Sequence, residues 1–546
     1  MVTTRLKRSL GWALAAAGLF LVTLVPYVVG WWTVPPDLVY LGLTFDVPDH
    51  TQYWAWVTAS QQGLFISNTM TPEANPPTFL NPMMWLLAAV QRALDLEFAA
   101  LFQVWRLAAT GVVVAATVWT TQIFVGDPDV RRTARWVVLV GAGLGWVHVA
   151  SKVALGLPDA PYPTDIYTVE PNTFWALLSY PYLALAQGLV MVTLASVWLA
   201  SRDPRPARIA AAVAAAFLLS ATHAYDLLIV FGVLGAIIGA MTIRHRRPPW
   251  RLIAICACAA AASLPLALYY RHLTTATPLW RSILAQYANA GVWTPSPAHL
   301  VILMGVPLVL ALLAIRPRWR QGTDEDLAIV AWAVVGGVLP YLPVVYQIKL
   351  LTAWQVPLAI LAAHAWHHLW ERGGLVFART RWRGRMAATI ALVMLVVPTN
   401  LYLVAWRVID LQRHSTPYYV HQDERAALAW LAAHGAPNDV VLAREEFGRL
   451  VPGYSGRRAV LAHWAMTNRY FDRRSAVNAY FSSEVPERER LALASAVGAT
   501  LVAWSAPPGL LPAPVDPGVS DSRTLVFERP RARIYRVRSA PPEPAL

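Results

Sequence analysis

Four groups of ionisable side chains stand between long apolar runs, and their types suit acid–base or anion-binding chemistry. The first holds Asp46, Asp49, His50 and Glu73, with Tyr53 one helical turn beyond Asp49; the second holds Asp159, Asp165 and Glu170; the third is His223 with Asp226; the fourth is Lys349. A carboxylate can take a proton from a hydroxyl, and a lysine ammonium can meet an anionic headgroup. Charges at a membrane border are costly once desolvated, so several held together would mark a site, whereas scattered ones merely solvate loops. Lys349 has the same two readings, an anion ligand or a side chain snorkelling to the interface. His148 falls inside an apolar run, where a hydrogen bond between helices is the expected use.

The scaffold behind these residues must be a membrane one. The 546 residues are 57% hydrophobic and 14% charged, against roughly a quarter charged in a soluble domain. The 25 tryptophans and 20 tyrosines suit aromatic belts at the two interfaces, and also suit stacking on sugar faces. A net charge of +14 is spread through short loops rather than gathered in a patch, so the lipid bilayer and not nucleic acid is its counterpart. Cys256 and Cys258 lie two apart in one apolar segment and cannot bridge each other.

Apolar runs at Leu10 to Trp31, Leu107 to Val125, Trp136 to Ser151, Thr173 to Ala200, Ile209 to Thr222, Leu227 to Thr242, Leu252 to Tyr270, Leu300 to Ile315, Leu327 to Gln347, Leu350 to His364 and Met386 to Trp406 predict about eleven transmembrane helices. Every second connection is basic. Arg5, Lys7 and Arg8 precede the first run; clusters at Arg131 to Arg135, Arg202 to Arg208, Arg244 to Arg251, Arg316 to Arg320 and Arg372 to Arg385 follow. These belong inside, which puts the amino terminus in the cytoplasm. The same parity makes Phe79 to Val90 an amphipathic helix on the outer interface rather than a crossing, and makes residues 209 to 242 a hairpin with His223 and Asp226 at its outer tip. The predicted class is mainly α: a transmembrane part over residues 1 to 409 with a first outer loop at 32 to 103, an outward-facing soluble α/β domain over 410 to 539, and a tail at 540 to 546. Arginine in place of almost all lysine suggests GC-rich coding and a bacterial plasma membrane, a multi-pass protein of the cell envelope.

Asp49, His50 and Tyr53 in Asp-His-Thr-Gln-Tyr are followed by Gly63, then Asn81, Pro82 and Trp85, then Arg106 at the opening of the next span. This resembles the GT-C glycosyltransferases. It is similar to the branch holding protein O-mannosyltransferases and the lipid A aminoarabinose transferases, whose first outer loop reads Asp-Glu-x-x-Tyr, an interfacial helix with proline and tryptophan, then arginine. His50 stands where that branch has glutamate. The motif covers about sixty residues; the many-helix outline and outward tail cover the rest. The resemblance implies a sugar donor on a polyprenyl phosphate, transfer with inversion to an acceptor that is a glycan, lipid or protein, and Asp49 as general base. It implies substrate contacts at His50, Tyr53, Lys349, Arg106, Arg271, Glu170, His223 and Asp226, with Lys349 foremost for the departing phosphate. Metal use stays open: a divalent ion, magnesium or manganese, would take Asp49 and Glu170. Two other classes compete, a transporter or flippase of lipid-linked precursors and a noncatalytic assembly protein.

Overall fold

The computed structural model describes residues 2–286, 293–373, 381–510 and 514–538; the expected tail at 540–546, and Arg379 of the last basic loop, lie outside them. Most of the chain is helical. Among the described residues eight helices are long and apolar enough to cross a membrane: Leu10–Trp32, Phe98–Phe124, Pro181–Arg202, Pro206–His223, Asp226–His245, Trp250–Ala276, Pro297–Gln321 and Gln347–Arg372. Two bent pairs, Pro128–Val140 with Gly145–Ala154 at 50° and Gly384–Val396 with Pro398–Leu411 at 45°, raise the number to ten if each is one span.

The expected ninth span corrects to something shorter. In place of Leu327 to Gln347 there is a 15-residue helix, Asp324–Val338, followed by the 3-10 turns Leu339–Tyr341 and Gln347–Leu351. Thr323 and Asp326 start it with reciprocal capping hydrogen bonds. Gly336, Gly337 and Pro340 end it early, because glycine weakens a helix and proline lacks the next donor. About 22 Å of helix falls short of a hydrocarbon core of about 30 Å. The run from Thr173 is likewise two helices, Thr173–Ser179 and Pro181–Arg202, parted at Pro181. Gly305 sits at φ 56° inside Pro297–Gln321, and a β-carbon there would lie 2.9 Å from the Gly143 backbone, so only glycine serves.

Two compact units make up the chain. One comprises Met1–Val25, Val104–Leu268 and Ala288–Trp406; the other Pro26–Gln103, Tyr269–Tyr287 and Arg407–Leu546. The second unit therefore joins the first outer loop to the C-terminal region. Strand β1 (Leu38–Tyr40) pairs antiparallel with β4 (Tyr419–His421), and β2 (Phe65–Ile66) with β3 (Phe79–Leu80). β5 (Val440–Leu442), β6 (Arg458–Ala459), β7 (Leu501–Ser505), β8 (Arg523–Arg529) and β9 (Ala532–Val537) form a mixed sheet in the order β6-β5-β7-β9-β8. Leu442, Val460, Leu461, Val502 and Tyr535 fill its core with Val477 and Tyr480 of the Tyr470–Tyr480 helix. In the outer loop the helix Pro82–Leu94, capped by Asn81, is too short to span and leaves Trp85 and Leu86 exposed beside the buried Met84 and Leu87, as an interfacial helix would.

Glu424 sits 1% exposed in helix Gln422–His434 and accepts the His421 backbone N–H at 2.8 Å. Burial pushes its carboxyl up to about 7 from an ordinary 4.5, against the hydrogen bond from His421. The folded protein then holds a proton that the unfolded chain releases between about pH 4.5 and 7. Its contribution to stability is thus fully present below that window and is lost as pH rises through it. Glu424→Gln should raise the melting temperature at pH 8 and change it little at pH 4.5; equal shifts at both pH values would show that ionisation of Glu424 is not the cause.

Candidate active site

The helix Val47–Ser60 begins at Asp46, whose backbone is left-handed at φ 40°, and has Pro48 in its first turn. Asp49 follows in that turn, where the exposed N–H groups favour a negative charge. Along the helix the neighbours point to different uses. His50 is fully buried, packed 5.0 Å from the Phe102 ring and 5.8 Å from Tyr53, and Trp54 stacks on Phe98 at 4.5 Å. Within Asp-His-Thr-Gln-Tyr, Asp49 alone is not buried, with 24% of its side chain exposed. His50 and Tyr53 pack inside the unit.

A residue that the sequence did not single out meets Asp49: Nε2 of His463 lies 3.1 Å from Asp49 Oδ1. The Ala465 backbone N–H donates to His463 Nδ1 at 3.1 Å, so the ring proton must sit on Nε2 and point at the carboxylate. His463 is 2% exposed. Its loop is tied to the first outer loop at many points. The Thr467 hydroxyl accepts the N–H groups of Ala462 and His463 and donates to the Met70 carbonyl at 2.8 Å. Asn68 Nδ2 donates to the Met466 carbonyl at 2.8 Å, and the Ala459 N–H to the Thr69 carbonyl at 3.1 Å. Glu73, an outer-loop carboxylate expected to be solvated or functional, is a clamp in this structure: it pairs with Arg473 at 2.5 Å and accepts from Asn468 and Thr71. Burial works against its charge, but the hydrogen bonds from Thr71 and Asn468 and the Arg473 guanidinium hold its carboxyl below the usual range. A histidine-tryptophan pair two residues past the Ala459–Leu461 run was the only trace of this in the sequence.

The first unit holds the other expected residues. Lys349 lies in the turn Gln347–Leu351 and its Nζ is 2.7 Å from Glu170 Oε1, with side-chain exposures of 25% and 7%. Gln187 donates to the Glu170 carbonyl at 2.8 Å, and Asn172, two residues on, caps helix Thr173–Ser179 and reaches Asn400 at 2.8 Å. Tyr225 stands with its ring 4.7 Å from Tyr346 and close enough to the Lys349 ammonium to feel its charge. His223 and Asp226 form a buried pair at 3.0 Å, with the His223 ring 5.4 Å from Tyr225. The hairpin tip is thus packed rather than solvated. Asp165 caps the start of Gly145–Ala154 by accepting the Gly145 N–H at 2.6 Å, and burial pushes its carboxyl up to about 7.

Arg106 and Arg271 turn out differently from Lys349. Arg106 is wholly buried and donates to the carbonyls of Leu177 at 3.2 Å and Thr23 at 3.0 Å and to the Thr23 hydroxyl at 2.8 Å. A guanidinium saturating backbone carbonyls ties helices together. Arg271 is exposed in the second unit, late in helix Trp250–Ala276. His148 is half-buried and bonds the Pro161 carbonyl at 3.0 Å, a contact to the second outer loop. Among the described residues no three histidine, cysteine, aspartate or glutamate side chains converge as metal ligands, and the Glu170 carboxylate is engaged by Lys349.

No protein-family model matches the chain, and no curated protein matches it. Solved structures do. The oligosaccharyltransferase of Archaeoglobus fulgidus in its apo form superposes with a TM-score of 0.53 at 11% identity, over 91% of this chain and 69% of that one. ArnT from Cupriavidus metallidurans in the apo state gives 0.52 at 12% identity, over 97% of this chain and 98% of that one. The fold is that of the GT-C glycosyltransferases. With the archaeal enzyme tethered to an acceptor peptide bearing the NVT sequon the TM-score is 0.51 at 10% identity, over 89% and 69%. At these identities the likeness is one of fold, and the chain is a multi-pass membrane protein of that architecture.

Proposed function

We propose that the protein is a membrane glycosyltransferase that moves a sugar from a polyprenyl-phosphate donor to an acceptor hydroxyl on the outer face, with inversion and with Asp49 as general base. The observation that carries this reading is the partly exposed Asp49 carboxylate at a helix start, bonded by the buried His463, in a chain of GT-C fold. The acceptor oxygen bonds to the anomeric carbon as its proton passes to Asp49. The bond from that carbon to the phosphate oxygen breaks, and the lipid phosphate leaves with the electron pair. Separately, within the first unit, Lys349, paired with Glu170, is the candidate ligand for an anionic lipid phosphate. Direct displacement by one nucleophile inverts the centre.

Membranes that carry the protein together with the native acceptor, given a panel of radiolabelled polyprenyl-phosphate sugars, should transfer label from at least one lipid carrier, and membranes carrying Asp49→Asn should not. Consumption of no donor, or equal transfer by the variant, would reject the reading. The outward placement of the C-terminal region has its own test. With Cys256 and Cys258 replaced by alanine, Asp521→Cys, an exposed position, should react with an impermeant maleimide in intact cells. Reaction only after lysis would invert the topology.

A further inference from the structure

We propose that His463 is a positioning residue for the transfer, fixing the Asp49 carboxylate in one rotamer and in its ionised form; this rests on the reading of Asp49 as the base. A carboxylate turns easily about its last torsion, which is broad and two-fold. A bond from Nε2–H to Oδ1 at 3.1 Å removes that freedom and so defines where Oδ2 lies. The donor is itself fixed. Its tautomer is set by the Ala465 N–H, its ring is 2% exposed, and its loop is anchored through Thr467 to Met70. A hydrogen bond to the charged form of an acid favours that form, so the bond that orients Asp49 also favours its carboxylate over its acid. During transfer the acceptor proton goes to Asp49, and His463 neither gains nor loses one. The segment Ala462–Asn468 of the C-terminal region thereby completes a base whose carboxylate comes from the first outer loop.

Asp46 and His50 on the Asp49 segment and the Glu73–Arg473 pair on the loops tied to that of His463 also carry ionisable groups; they are left unchanged in every variant. His463→Ala, His463→Gln and Asp49→Asn are compared as full-length protein in nanodiscs, with a labelled polyprenyl-phosphate sugar as donor. His463→Ala should lower kcat about 10- to 100-fold, as losing an orienting partner does, with donor KM near that of the parent. Its acidic limb in kcat/KM should move up by about one pH unit, since a carboxylate that loses a hydrogen bond is more readily protonated. His463→Gln, whose amide can still donate, should recover much of the rate and return the limb toward the parent position. A purely packing role would lower the folded yield without moving the limb.

A second measurement does not depend on turnover. In protein labelled with nitrogen-15 histidine, the signal lost in His463→Gln should report the Nε2–H tautomer in the parent and shift in Asp49→Asn. Parent-like rate and pH profile in His463→Ala beside an inactive Asp49→Asn, or an Nδ1–H tautomer, would overturn the proposal while leaving Asp49 as base. Full activity in Asp49→Asn would instead remove the base itself, and the positioning role with it.

Discussion

Asp49→Asn is expected to lower turnover about 100- to 10,000-fold, the usual cost of removing a general base, while the protein stays folded and inserted. The amide keeps the size of the side chain and an oxygen that can still accept from His463 Nε2, so the helix start and the loop opposite it should hold their geometry. What is lost is the capacity to take a proton at neutral pH. Asp46→Asn is the matched control. Asp46 occupies a left-handed backbone position at φ 40°, a conformation that asparagine adopts readily, so this change should cost little in either fold or rate. Steady-state transfer from a labelled lipid-linked sugar, with thermal melting measured alongside, separates the outcomes. Equal loss in the two variants, or retained turnover in Asp49→Asn, would remove Asp49 from the chemistry.

The second large effect should come from Lys349. A charge-assisted hydrogen bond to a phosphate is worth roughly 1.5–3 kcal/mol, so Lys349→Gln should cut transfer efficiency about 10- to 100-fold. Part of the loss should fall on kcat, because charge builds on the phosphate as the glycosidic bond breaks. Lys349→Arg should restore some activity, since the cation is kept but its shape changes. The ion pair brings a complication that can be resolved. Glu170 is nearly buried and takes Lys349 as partner at 2.7 Å, so removing the lysine also strands a carboxylate, a loss of stability unrelated to catalysis. Adding Glu170→Gln to Lys349→Gln relieves that strain. The double variant should regain thermal stability and stay slow. If it regains transfer as well, Lys349 serves only to neutralise Glu170.

Much of the architecture follows from local properties of the chain. Apolar runs and alternating basic loops predict spans and parity, since transfer into a bilayer is close to a sum over neighbouring residues. The strand-like runs near Val440, Thr500 and Ala532 become β5, β7 and β9 for the same reason, as a short apolar run bounded by turns is written in adjacent residues. Where the helix from Asp324 stops was misjudged from hydropathy alone, because Gly336, Gly337 and Pro340 are apolar or small enough to pass as span while being poor helix formers.

By itself, then, the sequence determined a polytopic membrane protein with a mixed α/β carboxy-terminal region; it offered Asp49 as a candidate through the motif resemblance and Lys349 through its charge and place beside a late span. The partners of those residues were decided only by tertiary structure. His463 lies 414 residues from Asp49 and Glu170 lies 179 residues from Lys349, distances over which no periodicity or spacing carries information. The contacts of other candidates likewise came only with folding: Arg106, aligned with the motif, donates to the Leu177 and Thr23 carbonyls, and Glu73 closes a clamp with Arg473. A side chain's type fixes which bonds it can make, but which of them it makes depends on the groups that folding brings within about 3 Å.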